Sequence, residues 1–410
     1  MSSSQHINWD DFHKEQILET QHRLIKHILN KNTTDHAPTP FITNASTYTS
    51  ENQFQAEKEE IFLKQPVLAC LSSDMPNPGD VVLFNEAGPP IVITRDENGK
   101  IHAFLNMCMH RGASVASSCS RRKLLVCRFH GWSYDLKGNL VGIPGKEGFD
   151  GVDQDSKSLV RLPAKEWNGM IFVRATPGND HMDIEGFLGD FAPQLAMLRL
   201  DDVVPVHEST LETEANWKLM LDTHGEGYHF ASLHPKTIAP NVISNVSVYD
   251  CLGPHYKVSF AQKTHAALAQ KGEYDGDMTN YSSSMLLFPN TIVFISTHNL
   301  GKDPDEPSVS KLDTSTFYYG IYRLFPTSVS HTVTKMATYK PKNHNPQLET
   351  AAWKGVHEFI EKVLIEEDYH MAAEQYRNLI GAPTDHKVIY GSNEIGIQHF
   401  HRHLSQLTKN

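Results

Sequence analysis

Cysteine is scarce: the 410 residues contain five. Cys70, Cys108, Cys119, Cys127 and Cys251 are odd in number and unevenly spread. That argues against a paired disulfide scaffold and for a reducing compartment, expected to be the cytoplasm. Long apolar runs are missing as well. Stretches such as 285–288 and 291–295 fall far short of the ~18–20 residues a membrane helix needs, so no membrane contact is expected. The opening MSSSQHINWDDFHKEQ has neither a basic n-region nor an apolar h-region, so no secretory signal is expected. Positive charge is in deficit, with 37 Lys and Arg against 48 Asp and Glu and a net charge of −11. A nucleic-acid partner normally requires a basic stripe, so none is expected. No G-x-G-x-x-G run follows a strand pattern, so no dinucleotide-binding fold is expected in this chain.

What is present is length, apolar residues and histidine. Domains usually run ~100–200 residues, so a chain of 410 predicts two. A hydrophobic fraction of 39% supports a packed core and excludes disorder. The 24 histidines beside five cysteines point to metal chemistry. A helix is expected over 12–30, with apolar Ile17, Leu18, Leu24, Ile25 and Ile28. Residues 33–50, with Pro38 and Pro40 among Thr, Asn and Ser, read as a linker or arm. A second helix is expected over 51–64.

From 66 to 175, short β-rich runs (81–84, 91–94, 102–105, 124–127, 170–174) alternate with turn signals such as Pro78-Gly79-Asp80 and Lys137-Gly138-Asn139. This spacing predicts a small antiparallel β domain. Beyond 177–180 come a helix at 187–200, strands near 207–215, a helix over 217–233 and further strands between 244 and 340. A long helix over 346–380 carries Trp353, Val356, Ile360, Val363, Leu364 and Met371 at helical period. The expected fold is α+β. Residues 1–47 form a helical arm packed with the C-terminal part. Residues 48–178 form the β domain, and 179–410 a twisted antiparallel sheet gripping its helices.

Two constellations carry chemistry. The first reads Cys-Met-His, a gap of sixteen residues, then Cys-Arg-Phe-His: Cys108, His110, Cys127 and His130. Two thiolates and two imidazoles can hold zinc tetrahedrally. They can also hold a Rieske [2Fe–2S] centre, with the cysteines on one iron and the histidines on the other. Gly112 and Gly131 follow the two pairs and allow backbone N–H groups to approach the sulfides. Zinc fingers more often place two histidines three to five apart on a helix, and nothing in this segment does so. The stretches CMHRGA and CRFHGWSYDLKGNL, including Trp132, Tyr134, Asp135 and Gly138, resemble the Rieske domain of ring-hydroxylating-type non-haem iron oxygenases. Ala113 and Phe129 stand where a respiratory Rieske protein has its extra cysteines. Cys119 is read as a spare thiol.

The second constellation is NWKLMLDTHGEGYHFASLHP, residues 216–235. Such an oxygenase needs an iron site with open positions, which a two-His, one-carboxylate set provides. His229 and His234 are five apart, so a regular helix must loosen or end between them, and Pro235 agrees. Glu226 lies three before His229 and so on the same face. The resemblance to the family's NWK…E-x-Y-H-x₄-H pattern implies His229 and His234 as iron ligands. It implies Glu226 as the carboxylate bridging to the Rieske cluster of a neighbouring subunit, hence a homotrimer. His224, five before His229, competes as a ligand, but the register from Asn216-Trp217-Lys218 favours the later pair. Asp222-Thr223 departs from the family's usual Glu-Asn pair, and Asp222 is read as an outer or surface carboxylate. The third ligand is expected from Glu366-Glu367-Asp368. Family spacing to Met371 and Leu379 selects Asp368, although Glu367 sits nearer the centre of the apolar stripe, with Asp368 ~80° away.

By the same resemblance the chain is a terminal oxygenase. A separate NAD(P)H-dependent reductase or ferredoxin supplies electrons through the [2Fe–2S] cluster and Glu226 to a mononuclear Fe(II). O₂ and a small organic substrate meet there in hydroxylation, dihydroxylation or oxidative demethylation. Glu at the bridging position with Tyr228 before the ligand is similar to members that oxidise trimethylammonium compounds such as choline, betaine or carnitine. An aromatic or alicyclic substrate is equally open. Candidate pocket residues are Phe230, Met285, Phe288, Asn290, Val293, Tyr318 and Phe325. The alternatives are a Rieske-type electron carrier without oxygenase activity, which would need neither His229 nor His234, and a zinc-stabilised structural protein.

Overall fold

The computed structural model describes residues 9–86, 88–153, 155–178, 181–271, 281–297 and 314–408. Contacts divide the chain into two compact units. One is Gln55–Phe187; the other joins the residues up to Phe54 to those from Leu188 onward. The breaks fall at 54/55 and 187/188, some residues beyond the expected 47/48 and 178/179.

The Gln55–Phe187 unit is built on short antiparallel strands because turn residues interrupt every apolar run. A five-stranded sheet runs in the order Arg161–Leu162, Ile101–Leu105, Ile91–Arg95, Asp80–Phe84, Ser120–Arg121. One three-stranded sheet joins Ala164–Trp167, Met170–Val173 and Val67–Leu71; another joins Leu125–Val126, Ser133–Tyr134 and Leu140–Gly142. Phe104, Leu125, Trp132 and Tyr134 pack with the Cys108 and Cys127 thiols in the core of this unit. Gly138 closes a turn at φ +85°, and a Cβ there would lie 2.4 Å from the Phe104 ring, so the position accepts only glycine.

The other unit contains α1 (Trp9–Leu29) and a seven-stranded antiparallel sheet. Its strands are β1 (Val203–Thr213), β2 (Val242–Leu252), β3 (His255–Gln262), β4 (Ser282–Leu287), β5 (Thr291–Thr297), β6 (Phe317–Ser328) and β7 (His331–Pro341), in the order β1-β7-β6-β5-β4-β3-β2. The fold is α+β. α1 packs on β2 and β3 through Leu24 and its neighbours. Between β1 and β2 lies α2 (Trp217–Asp222); after β7 come α3 (Thr350–Val363), α4 (Tyr369–Ile380) and α5 (Ile395–Leu407). α3 lies on β1 and β7, and a π-turn, Leu364–Asp368, joins it to α4.

Three local expectations change. Residues 33–50 are not a bare linker: Phe41–Asn44 pairs antiparallel with Lys387–Tyr390, and Tyr48 is buried just beyond. Those apolar anchors override the Pro- and Ser-rich composition. The helix expected over 217–233 stops at Asp222 and resumes only for Phe230–Leu233. Gly225 lies in the gap, where a Cβ would meet Ile397 at 2.7 Å and the Tyr256 hydroxyl at 2.8 Å. The helix expected at 187–200 is broken into Ile184–Leu188, a 3₁₀ turn at Gly189–Phe191 and Ala192–Ala196.

Candidate metal centres

In the smaller unit, two loops present the first constellation with the same backbone pattern. The Cys108 N–H donates to Ala113 O at 2.8 Å, and its carbonyl accepts from Gly112 N at 2.9 Å. The Cys127 N–H donates to Trp132 O at 2.9 Å, and its carbonyl accepts from Gly131 N at 2.9 Å. Gly112 and Gly131 have φ of +80° and +74°, which is why glycine occupies both corners. Both thiols are buried, and the His110 and His130 rings lie 4.6 Å apart, centre to centre.

His130 Nδ1 is buried without a hydrogen-bond partner, while its Nε2 accepts from the Arg111 guanidinium at 2.5 Å. A buried nitrogen left without a partner beside the cysteine loops has the environment expected of a metal-ligating imidazole. Desolvation, then the Arg111 charge, lowers the His130 pKa and favours the neutral imidazole that a ligand must be. The Tyr134 hydroxyl accepts from Met109 N at 3.0 Å and lies 3.3 Å from Cys108 Sγ. Burial and the Cys108 sulfur push its pKa up, so it keeps its proton beside that sulfur. Sequence reasoning passed over Asn106, whose Oδ1 accepts from Val115 N and Ala116 N at 3.0 Å and whose Nδ2 donates to Ala116 O at 2.8 Å, pinning the first loop. Only its position just before Cys-Met-His could have flagged it. Cys119 is exposed and stands apart.

In the larger unit, Asn216 caps α2, accepting from Lys218 N at 3.1 Å, and its Nδ2 donates to Val329 O at 3.0 Å. The chain then turns so that His229 begins, and His234 ends, the short helix Phe230–Leu233. Asp368 Oδ1 lies 3.2 Å from His234 Nε2 and 3.6 Å from His229 Nε2. Among the described residues, His229, His234 and Asp368 are the one group of three or more such side chains whose donors all fall within 4.8 Å of each other. The four residues of the first constellation do not close to such a point. That suits two irons held apart better than one tetrahedral zinc.

The outer nitrogens are also held. His229 Nδ1 lies 2.5 Å from Glu226 Oε1, and His234 Nδ1 lies 2.5 Å from Glu367 Oε2, which also accepts from Thr237 Oγ1 at 2.7 Å. The π-turn explains how adjacent acids serve different roles. One extra residue in a turn shifts the helix face by about 100°, enough to bring Asp368 round to the Nε2 atoms of the two imidazoles. Burial opposes charge on His229, but Asp368 and Glu226 outweigh it and carry the pKa to about 10. His234 also rises, with burial again outweighed, mainly by Asp368. Burial alone would raise Asp368; the two imidazoles outweigh it and hold the carboxyl at about 2. Both imidazoles are thus drawn toward their charged form by the carboxylates around them, and a cation placed among the three could take over that role.

His224 is not part of this trio; its Nε2 is buried without a partner, and burial lowers its pKa to about 4. Asp222 is no surface carboxylate. It accepts from the Tyr48 hydroxyl at 2.5 Å and pairs with His401 at 2.9 Å, tying α2 to the arm and to α5.

A cavity of about 590 Å³ opens beside the trio. Of the seven pocket residues expected from sequence, Phe230 and Tyr318 line it. Met285 and Val293 face each other across β4 and β5, one residue out of phase with Ser284 and Phe294, which do line it. Side chains alternate along a strand, so a choice off by one lands on the opposite face. Phe288 packs on Phe400, Asn290 bonds to Leu324 O at 2.9 Å and Phe325 is buried outside the lining.

Residues 65–158 match the Rieske [2Fe–2S] domain, and residues 200–301 and 307–410 match the ring-hydroxylating alpha subunit (catalytic domain). The carnitine monooxygenase oxygenase subunit of Escherichia coli (strain K12) is 31% identical over 198 residues, 47% of this chain and 51% of that protein. The matched stretch thus spans about half the length of this curated relative. A quaternary ammonium Rieske monooxygenase superposes with a TM-score of 0.75 at 22% identity, over 92% of this chain and 96% of that one. Naphthalene 1,2-dioxygenase from Rhodococcus sp. gives 0.73 at 18%, over 95% and 98%. These two likenesses are of fold. With a Rieske domain preceding a matched catalytic domain that fills half its length, the chain belongs to the ring-hydroxylating alpha-subunit family of Rieske oxygenases.

Proposed function

We propose that the chain is the terminal oxygenase component of a multi-component system. It takes electrons from a separate NAD(P)H-dependent reductase or ferredoxin. With O₂ it hydroxylates, dihydroxylates or oxidatively demethylates a small organic molecule. The observation that carries this reading is the His229–His234–Asp368 trio at the edge of a cavity of about 590 Å³. Two imidazoles and a carboxylate on one side leave the other side free for O₂ and substrate. In this reading the three hold a mononuclear Fe(II). Cys108 and Cys127, with His110 and His130, hold the [2Fe–2S] cluster, His130 through its unpartnered Nδ1. When bound, these groups supply single electrons and O₂ activation.

The chain's own residues do the positioning. Glu226 accepts the Nδ1–H of His229 and so fixes the tautomer that leaves Nε2 for the metal; Glu367 does the same for His234. Glu226 also accepts from the backbone N–H groups of Tyr228 and His229, which hold its carboxylate in place. That supports its role as the bridge to the cluster of a neighbouring subunit in a homotrimer. The apolar face of α3 lines the cavity beside the trio. The cytoplasm is the compartment this reading expects. A pure electron carrier has no use for the trio or the cavity.

The test is metal and oxygen stoichiometry on anaerobically purified protein. The expected protein is red-brown, carries iron beyond that of the cluster and consumes O₂ with a surrogate reductase. His229→Ala should keep the colour and lose both the additional iron and the O₂ uptake. A variant that kept both would end the oxygenase reading, and a colourless, zinc-loaded protein would end the cluster assignment.

A further inference from the structure

We propose that the cavity takes an uncharged, largely apolar molecule bearing a hydroxyl or carbonyl oxygen, and that Ser284 selects for that oxygen. This rests on the oxygenase reading and adds the chemistry of the substrate to it. One wall is the face of α3 formed by Ala352, Val356, Phe359, Ile360 and Val363, which offers no polar side chain. The opposite wall is the sheet, where strand register sets the pattern. Ser284 on β4 lies directly across from Phe294 on β5, and Ser282 across from Ser296. Ser296 in turn lies across from Tyr318 on β6. The sheet wall therefore mixes aromatic faces with hydroxyls and the Gln262 amide.

Charge is the discriminating feature. Among the described lining residues there is no Lys or Arg, and the acids are Glu226 and Asp368. Both are committed to the imidazoles of the trio. The only cation a substrate carboxylate could meet there is the metal the trio would hold, where it would occupy the position O₂ needs; elsewhere on the lining it would be stripped of water with no cation beside it, which is among the most unfavourable burials in a protein. A zwitterion such as carnitine would find aromatic faces for its ammonium and no cationic side chain for its carboxylate, only neutral donors such as Asn241 and Gln262. The cavity's size suits a larger and less polar guest, because sites for drug-sized ligands run about 300–1,000 Å³.

Ser284 supplies the positive requirement. It is 3% exposed and lines the cavity, yet its Oγ has no hydrogen-bond partner. The preceding residue, Ser283, turns to the other face and bonds Ser259 Oγ at 2.5 Å. A buried hydroxyl left unpaired is unfavourable by about 1–3 kcal/mol, so a guest oxygen in reach gains that much over a hydrocarbon of the same shape.

The experiment is calorimetric titration of the cluster- and iron-loaded protein with a matched set on one skeleton: 2-decalone, 2-decalol and decalin-2-carboxylate, with L-carnitine as the zwitterion. The ketone and alcohol should bind at least tenfold more tightly than the carboxylate and carnitine. Ser284→Ala should weaken the ketone and alcohol about tenfold and leave the carboxylate unchanged. Val356→Arg, which places a cation on the α3 wall, should raise carboxylate affinity about tenfold and checks the charge argument without disturbing Ser284. Tighter binding of the carboxylate or of carnitine by the unmodified protein overturns the proposal. So does a Ser284→Ala variant with unchanged ketone affinity, or no uncharged member binding at millimolar concentration. Affinity is read without turnover. The oxygenase reading fails separately, through missing mononuclear iron or O₂ uptake.

Discussion

Glu367 and Asp368 are adjacent in sequence but face opposite nitrogens of the same imidazole, and replacing each in turn separates ligand from support. Glu367→Gln removes the anion 2.5 Å from His234 Nδ1 and leaves the three metal-facing donors in place. Loss of an outer partner of this kind typically weakens metal binding 10- to 100-fold, or about 1.4–2.7 kcal/mol. Thr237 Oγ1 bonds the same carboxylate, and a Gln oxygen can still accept from it, which favours the lower end. Asp368→Asn removes the single anion lying 3.2 and 3.6 Å from the two imidazoles and leaves two neutral donors. Its loss of iron should exceed 100-fold. The assay is competition for Fe(II) against a graded series of chelators, with the visible absorbance of the Rieske centre as the control for intact protein. If Glu367→Gln lost iron as completely as Asp368→Asn, or if Asp368→Asn bound iron normally, the division of roles between these acids would be refuted.

Cys108→Ser should bleach the red-brown colour while the mononuclear iron stays bound, because the two sites use separate residues; iron analysis beside the absorption spectrum checks it. Asp250→Asn should destabilise the larger unit by about 3–5 kcal/mol at neutral pH, since it leaves a buried ammonium short of its anion. Asp250 lies 3.1 Å from Lys257 Nζ, whose side chain is 1% exposed, and 2.6 Å from Arg23 Nη1. Burial opposes ionisation of Asp250, but Lys257 and Arg23 outweigh it and lower its pKa. A depressed carboxyl adds stability above its unfolded value of about 3.9 and loses it as pH falls through the folded value. The gap between variant and parent in urea unfolding should therefore narrow as pH drops below about 4. Gly138→Ala should cost the smaller unit about 2–4 kcal/mol through overpacking and backbone strain at Phe104, seen as earlier loss of colour on heating.

Much of the chemistry was legible in the chain because it is local. Cys108 and His110, Cys127 and His130, and His229 and His234 each sit within a few residues of one another. Turn chemistry encoded by Gly112 and Gly131 sets the geometry of the first two pairs without help from distant segments. The small β domain was legible for the same reason: its strands are short and separated by strong turn signals. Neighbouring residues determined those features, and spacing was a better guide than the raw count of histidines.

Other features depend on segments far apart in sequence, and only the tertiary structure decided them. Asp368 meets His234 across 134 positions, and a π-turn that no propensity announces brings it, rather than Glu367, to the Nε2 atoms of His229 and His234. Asp222 belongs to a buried network with Tyr48 and His401 because the arm folds back onto α2 and α5. The cavity wall follows the parity of β4 and β5, where alternation alone cannot say which of Ser284 and Met285 faces the guest. Sheet register and the packing of α3 make that choice, since a one-residue shift would turn every side chain of the strand to the opposite face.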